Sequence, residues 1–469
     1  MKLTVLGGGG VRIPALVRAV LGGPVRGDAG TGRAAIDRID LFEPDALRRE
    51  STGRLSAELA AALGHPDAVR VTADAEEALT GADYVFSAIR VGGDAARIVD
   101  EQVALERGLV GQETTGPGGC AMALRTIPVA LEYCALIAKL APGATLVNFT
   151  NPAGIITQAI SSHGGIRAVG VCDTPSSTLS TLAGFLGAAP PELTFSYSGL
   201  NHLGWISSVS VGGTERIGDL VARYDELRAY DHRFAAFDPA LVRRLGCIPT
   251  EYLYYFYEPA GYVAGVTRAG RTRGADVRAF SERLIAGVLK GFAAGGFADA
   301  WNAYSEVMDE RHETYMRLDI DGSTESAART GTAGPADDET AGEIGGYEGV
   351  ALRVINGLSG AAPARVIVNT RNGPTHSFLS PSDVVEVPAL VDAQGVAPLA
   401  AAPAPASVRG LIEQVKEYER MIVEAAVTGD ADLAAIALSL HPLVPGVTVA
   451  RDLIAAYRER HGALLAYLR

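Results

Sequence analysis

Cysteine is scarce in this sequence. Four occur in 469 residues, at positions 120, 134, 172 and 247, too few and too widely spaced for a secreted disulfide framework or a paired-cysteine zinc site. A reducing compartment is the expectation. Clustered lysine and arginine are also missing: 41 basic residues face 54 acidic ones, for a formal net charge of −13. Neutralising a nucleic-acid backbone needs a run or stripe of basic side chains, so nucleic acid is not expected as a partner. No uncharged apolar run approaches the ~18 residues of a membrane span, so no membrane is expected either. Lys2 passes directly into Leu3-Thr4-Val5-Leu6 and then glycines, an apolar start too short for a signal peptide and without a small-residue cleavage site. The expectation is a soluble cytoplasmic protein.

What is present is an ordinary globular composition, 48% hydrophobic and 20% charged. At roughly 150 residues per domain the length allows two or three domains. The unusual counts are 55 Gly and 24 Pro, which ask where backbone must come close to something. Apolar strand-like runs at 2–6, 36–42, 69–72, 84–89, 145–149 and 168–172 alternate with helical stretches at 14–21, 46–63 and 121–140. That alternation implies an α/β fold with a doubly wound parallel sheet, and a ligand lying across the carboxyl ends of its strands. Residues 1–175 are therefore assigned to this first domain and 176–469 to a second. In the second, Ser/Gly-punctuated strands around 194–211 give way to mainly helical segments. The stretch 321–346 lacks apolar periodicity and reads as a mobile loop, 396–406 as an extended connection, and 408–469 as a helical tail packed on the body or on a partner subunit.

Gly7-Gly8-Gly9-Gly10-Val11-Arg12-Ile13-Pro14 follows the first strand and opens a helix. Small residues there let a pyrophosphate reach backbone N–H groups at a helix N-terminus. Arg12 stands where the dinucleotide fingerprint has its third glycine. Glu43, closing the second strand, is the candidate for the ribose hydroxyls and favours NAD over NADP; it lies beyond the usual spacing because the Gly/Pro-rich stretch 22–33 lengthens the connection. The plainer alternative is a simple strand–helix turn.

Cys172-Asp173-Thr174-Pro175 closes the sixth strand, and Asn201-His202 sits in Gly199-Leu200-Asn201-His202-Leu203-Gly204. A thiolate and an imidazole can share a divalent metal and leave positions open for Lewis-acid work. Each residue alone is more commonly a small hydrophobe or a satisfied core histidine. Asp173 is a third ligand, an acid catalyst or a helix N-cap, the last being the commonest role of such a residue. Pro249-Thr250-Glu251-Tyr252-Leu253-Tyr254-Tyr255-Phe256-Tyr257 offers phenols that are packing residues unless a nearby cation makes one of them a base. Ile89-Arg90-Val91-Gly92-Gly93, Arg97 and Gly111-Gln112-Glu113-Thr114-Thr115-Gly116 point to loops around an anionic ligand at the same strand ends, which Asn148-Phe149-Thr150-Asn151-Pro152 also reaches.

Together with Thr272-Arg273-Gly274, Gly345-Gly346-Tyr347-Glu348 and His441-Pro442-Leu443-Val444, this ordered set resembles the NAD-dependent glycosidases of glycoside hydrolase family four, most closely the 6-phospho-β-glucosidase branch. The resemblance implies a Rossmann-type N-terminal sheet with a C-terminal α+β domain, as in lactate and malate dehydrogenases, and assembly as a homodimer or homotetramer. It also implies a departure from paired-carboxylate glycoside hydrolysis. NAD takes a hydride from C-3 of a phosphorylated sugar, a base removes the C-2 proton, the aglycone is eliminated, water adds, and the hydride returns. Carried over by resemblance, Cys172 and His202 are manganese ligands, Tyr252 is the base, Glu113 raises its basicity and Asp173 is the general acid. Arg97, Asn151 and Arg273 bind substrate, with Arg90 a weaker addition. Gly7, Gly9, Gly10, Val11, Arg12, Glu43 and Asn148 meet the cofactor. Asp after the metal cysteine, where many β-specific members have Asn, leaves open an α-specific phosphoglucosidase, and a plain NAD-dependent hydroxy-substrate dehydrogenase is the alternative of another class.

Overall fold

The computed structural model describes residues 1–22, 32–315, 346–400 and 403–469. The loop expected over 321–346 lies outside them except for Gly346, which opens the helix Gly346–Leu358. Six strands of the first 175 residues form the parallel part of one sheet: β1 (Lys2–Leu6), β2 (Arg38–Phe42), β3 (Val69–Thr72), β4 (Tyr84–Ser87), β5 (Thr145–Asn148) and β6 (Arg167–Gly170). Their spatial order is β3-β2-β1-β4-β5-β6, all neighbours parallel. This is the doubly wound order, whose reversal between β1 and β4 opens a crevice at the carboxyl ends of those two strands.

Side chains alternate between two apolar faces, as a strand period of two requires. Leu3, Val5, Ile39, Leu41 and Phe86 pack under the helices Ile13–Leu21 and Gly346–Leu358. Leu6, Val85 and Leu146 pack against Gly116–Leu140 and Ala153–His163. Among the described residues, Gly116–Leu140 is long and apolar enough to cross a membrane by length and composition, yet 61% of its apolar window is buried inside the protein.

The second half of the chain contributes two sheets. A hairpin of β7 (Leu193–Leu200) and β8 (Leu203–Val211), joined by β9 (Thr214–Glu215) and β10 (Ile248–Pro249), forms the smaller one. The chain then returns to the main sheet: β11 (Ala364–Arg371), β12 (Val384–Asp392) and β13 (Gly395–Pro398) extend it antiparallel beyond β6, to nine strands. The sequence pattern missed β11 and β12. Their runs are β-branched and buried, but Glu386 and Pro388 interrupt the second, and they lie nearly 200 residues past the strand they join.

The helical tail, Ala406–Thr428, Ala431–Leu440 and Val447–His461, folds back on the body. Its last helix grips Asp100: the Tyr457 hydroxyl donates to the Asp100 carbonyl at 3.0 Å and His461 Nε2 lies 2.8 Å from its carboxylate. Arg125 completes the knot, donating to both Asp100 oxygens at 2.7 and 2.5 Å and to the Val91 carbonyl at 2.9 Å. Both charged side chains are fully buried, so removing one leaves the other uncompensated. Asp100→Asn is expected to lower the unfolding free energy by about 3–5 kcal/mol, read from urea titration.

Candidate active site

The glycine loop is built by close approach of backbone. Gly7 has φ +85°, and a Cβ on it would lie 2.7 Å from the Ala88 carbonyl oxygen, so only glycine lets the ends of β1 and β4 meet. A Cβ on Gly9 would fall 2.7 Å from Glu43 Cγ. Instead Gly9 N–H donates to Glu43 Oε2 at 3.1 Å, Asp45 N–H donates to Oε1 at 3.0 Å, and the Thr52 hydroxyl holds the Gly9 carbonyl at 2.6 Å. Gly10, Val11 and Arg12 then lead into the N-terminus of Ile13–Leu21, the positive end of its dipole. An anion-receiving turn beside a carboxylate at the end of β2 fits a dinucleotide with free ribose hydroxyls.

Asn148 closes β5. It is fully buried, its Nδ2 donates to Thr150 O, Ala153 O and Thr157 Oγ1, and its Oδ1 accepts from Thr150 N–H. The amide shapes the turn after β5 and so positions the loop that carries Asn151.

His202 stands at the tip of the β7–β8 hairpin, whose Leu200 and Leu203 pair across the turn. Among the described residues it is the non-glycine residue with positive φ, 61°. A side chain held in the left-handed region costs of order 1 kcal/mol and signals a functional constraint. Its ring is fixed by a hydrogen-bond relay. Gln112 Oε1 accepts both the Thr114 N–H at 2.6 Å and the Thr114 hydroxyl at 2.8 Å, which commits the hydroxyl proton. Thr114 Oγ1, 2.8 Å from His202 Nδ1, must then accept from it. The tautomer is thereby set with the proton on Nδ1 and a lone pair on Nε2, the arrangement a metal-ligating histidine needs. Burial pushes the imidazole down to about 4, so it is neutral at physiological pH.

Cys172 is buried just past β6. Burial and the nearby carboxylates of Glu386 and Asp173 push its thiol well up, against hydrogen bonds from Thr174. Only a cation at the sulfur would make it a thiolate. Among the described residues no group of three or more His, Cys, Asp or Glu side chains gathers as a metal cluster. A thiol and an Nε2 lone pair are donor types that an open divalent site takes, its remaining ligands being substrate oxygens or water.

Tyr252 joins the two donors. Its ring stacks on His202 with centroids 3.6 Å apart and planes 7° from parallel, and the Cys172 sulfur lies within electrostatic reach. Its hydroxyl is 3.5 Å from that of Tyr315. Burial raises the Tyr252 phenol, and the charges of Glu251 and Glu113 raise it further. For Glu113, burial acts upward, but Arg90 and Arg97 overcome it and hold the carboxyl down at about 2. Arg90 pairs with Glu113 and lies 3.6 Å from Asp94. Arg97 is enclosed between Glu101 and Glu113, at 2.8 Å from each. Two of the three arginines expected on substrate, Arg90 and Arg97, thus hold Glu113.

Asp173 occupies the position before the helix Thr174–Leu186 but makes no capping hydrogen bond. Its carboxylate turns instead to Arg12, 3.5 Å away, so the capping role does not apply. Asn151 follows the turn that Asn148 organises and is half-buried. Arg273 opens the helix Arg273–Ala294 and reaches Thr314 Oγ1 at 3.3 Å and the Arg311 carbonyl at 3.5 Å.

Several functional residues were not found from the sequence. Gln112 and Thr114 lie in a glycine-bounded loop, and nothing local announces their relay to His202. Glu101, four residues after Arg97, was visible as a helical ion pair; it also accepts the Gly274 N–H at 2.8 Å and so ties Arg97 to the Arg273 segment. Glu386, a carboxyl in a buried strand, accepts from Tyr197 at 2.5 Å, Asn201 at 3.0 Å and Asn369 at 3.2 Å, bracing the His202 turn against the main sheet. Burial raises it to about 7.

A doubly wound sheet with a glycine loop suited to an anion, a cysteine and a histidine suited to a metal, and a phenol stacked on that histidine defines the class as an α/β enzyme. Residues 2–188 match the Family 4 glycosyl hydrolase domain and residues 197–444 the Family 4 glycosyl hydrolase C-terminal domain, and the chain belongs to that family. It is 29% identical to the probable 6-phospho-beta-glucosidase of Bacillus subtilis strain 168, over 99% of this chain and 97% of the relative. It is 28% identical to 6-phospho-alpha-glucosidase 1 of Lacticaseibacillus paracasei, over 82% of this chain and 81% of the relative. The structure of the Thermotoga maritima 6-phospho-beta glucosidase with manganese, NAD+ and glucose-6-phosphate superposes with a TM-score of 0.76 at 25% identity, covering 98% of both chains.

Proposed function

We propose that this chain is a cytoplasmic 6-phospho-β-glucosidase that uses NAD and a divalent metal, manganese in the first instance, and works as a homodimer or homotetramer. The observation that carries this reading is the stacking of Tyr252 on a tautomer-locked His202 with Cys172 within electrostatic reach of the phenol. The B. subtilis and T. maritima relatives support the substrate class and the cofactors. Four free, buried cysteines support a reducing compartment. Exposed Val427, Ile436, Leu440 and Val447 on the tail helices support self-association.

When bound, NAD supplies a reversible hydride acceptor for C-3, and the cation offsets negative charge on the C-2 and C-3 oxygens. The chain's own residues do the rest. His202 Nε2 and the Cys172 sulfur hold the cation in place. Tyr252 would act as the phenolate that a neighbouring cation favours, having given its own proton to solvent, and Oη would then take the C-2 proton, with the fixed charge of Glu113 strengthening it as a base. Asp173, not spent on capping, delivers a proton to the leaving oxygen. Arg273 faces the phosphate, while Arg97 is held between Glu101 and Glu113 and fixes the latter.

The test is turnover of chromogenic 6-phospho-β- and α-glucosides, and of their unphosphorylated counterparts, with NAD and manganese. Chromophore should be released fastest from the phosphorylated β-substrate with no net gain of NADH. Faster release from the α-anomer would reassign the anomeric preference, and steady NADH accumulation would instead make the protein a dehydrogenase.

A further inference from the structure

Five arginines lie close enough for their charges to act on one another: Arg12, Arg90, Arg97, Arg273 and Arg311. A buried guanidinium is ordinarily matched by a carboxylate, as Arg12, Arg90 and Arg97 are here. Arg12 lies 3.5 Å from Asp173, Arg90 pairs with Glu113, and Arg97 is held by Glu101 and Glu113. Arg311 differs. It sits in the last turn of the helix Phe297–Glu313, and its Nη1 is buried with no hydrogen-bond partner among the described residues. Its backbone carbonyl is the group that Arg273 reaches, so the two arginines are neighbours across the ends of two helices. Glu113 feels its charge. Burial, then Arg12, Arg273, Arg97 and Arg90, push Arg311 down to about 9. A buried donor with no acceptor is costly. An arrangement of this kind is satisfied by an anion with several acceptor oxygens.

We propose that Arg311 receives the phosphate of the sugar substrate, its unmatched nitrogen completing an anion socket with Arg273. The assignment rests on the phosphorylated-sugar reading above. It adds a residue that no motif carried, and it explains how phosphate is recognised when Arg90 and Arg97 are already committed to Glu113. Phosphate supplies acceptors for Nη1 and offsets the excess positive charge, so the same residue that destabilises the empty site favours the phosphorylated ligand over the bare sugar.

Calorimetric titration of the holoenzyme, loaded with NAD and manganese, tests this with glucose 6-phosphate, glucose and inorganic phosphate. Arg311→Gln is expected to weaken glucose 6-phosphate binding at least about 10-fold, leave glucose and NAD within about twofold, and abolish inorganic phosphate binding; Arg311→Lys should restore part of the loss. The melting temperature of apo Arg311→Gln should be no lower than that of the wild type, since an unmatched buried charge is removed, and this separates lost recognition from misfolding. Unchanged glucose 6-phosphate affinity in Arg311→Gln would overturn the proposal. So would an equal loss of NAD affinity, which would place the anion on the cofactor's pyrophosphate. A wild type that binds glucose as tightly as glucose 6-phosphate, yet binds inorganic phosphate through Arg311, would overturn the phosphosugar reading alone and leave the anion socket standing.

Discussion

Cys172→Ser is expected to weaken manganese binding by about 100-fold or more and to remove hydrolysis, while NAD affinity stays unchanged. A serine hydroxyl keeps the size of the thiol but does not ionise in its place, so the site loses its one anionic donor. The electrostatics also fix how affinity follows pH. His202 is held down at about 4 and is already neutral above about pH 5, so it releases no proton on binding metal. The Cys172 thiol is pushed well up by burial and by Glu386 and Asp173, so it is protonated until the cation arrives. One proton is therefore displaced per metal bound. Apparent affinity should rise about tenfold per pH unit from about pH 5 upward in the wild type, and that slope should flatten in Cys172→Ser. The electron paramagnetic resonance signal of free manganese, followed across pH, measures both. A variant that binds manganese as tightly as the wild type, with the same slope, would remove Cys172 from the metal site.

The parts of this site that could be read from the sequence are those in which chemistry and backbone lie next to each other along the chain. The glycine loop announces itself because Gly7 through Arg12 follow a strand and open a helix, and the reason is local: a Cβ at Gly7 would strike the neighbouring strand end. Cys172 could be placed because it ends a strand of an alternating α/β pattern, and such folds bind at that edge. Tyr252 could be picked from four phenols only through resemblance, since nothing in the spacing separates a base from packing residues. The supports were not legible because they join distant segments. The Thr114–His202 bond spans 88 residues and the Asn201–Glu386 bond 185. Arg311 lies on a helix face with no motif, and its role emerges only from the charges that other elements bring to it. The same long separation hid β11 to β13: they complete the edge of a sheet begun in the first 175 residues.

Tyr252→Phe isolates the proton transfer from everything else the residue does. The phenylalanine ring can keep the face-to-face stack on His202, 3.6 Å between centroids, and only the hydroxyl is lost. Metal and substrate binding should therefore change little, and KM should stay within about threefold. The loss falls on kcat, by about 10²- to 10⁴-fold, the contribution of a positioned general base. A second readout shows where the loss occurs. The wild type, incubated with a slow substrate in deuterium oxide, should exchange the C-2 hydrogen as Tyr252 takes and returns the proton; Tyr252→Phe should show no exchange above background by proton NMR. Glu113→Gln supplies the graded control. It removes the fixed charge that raises the phenol and releases Arg90 and Arg97 from their shared partner. Exchange should slow but persist, because the phenol remains. If exchange survives in Tyr252→Phe at the wild-type rate while kcat falls, the base is another group and Tyr252 acts by holding the His202 ring in its metal-binding orientation.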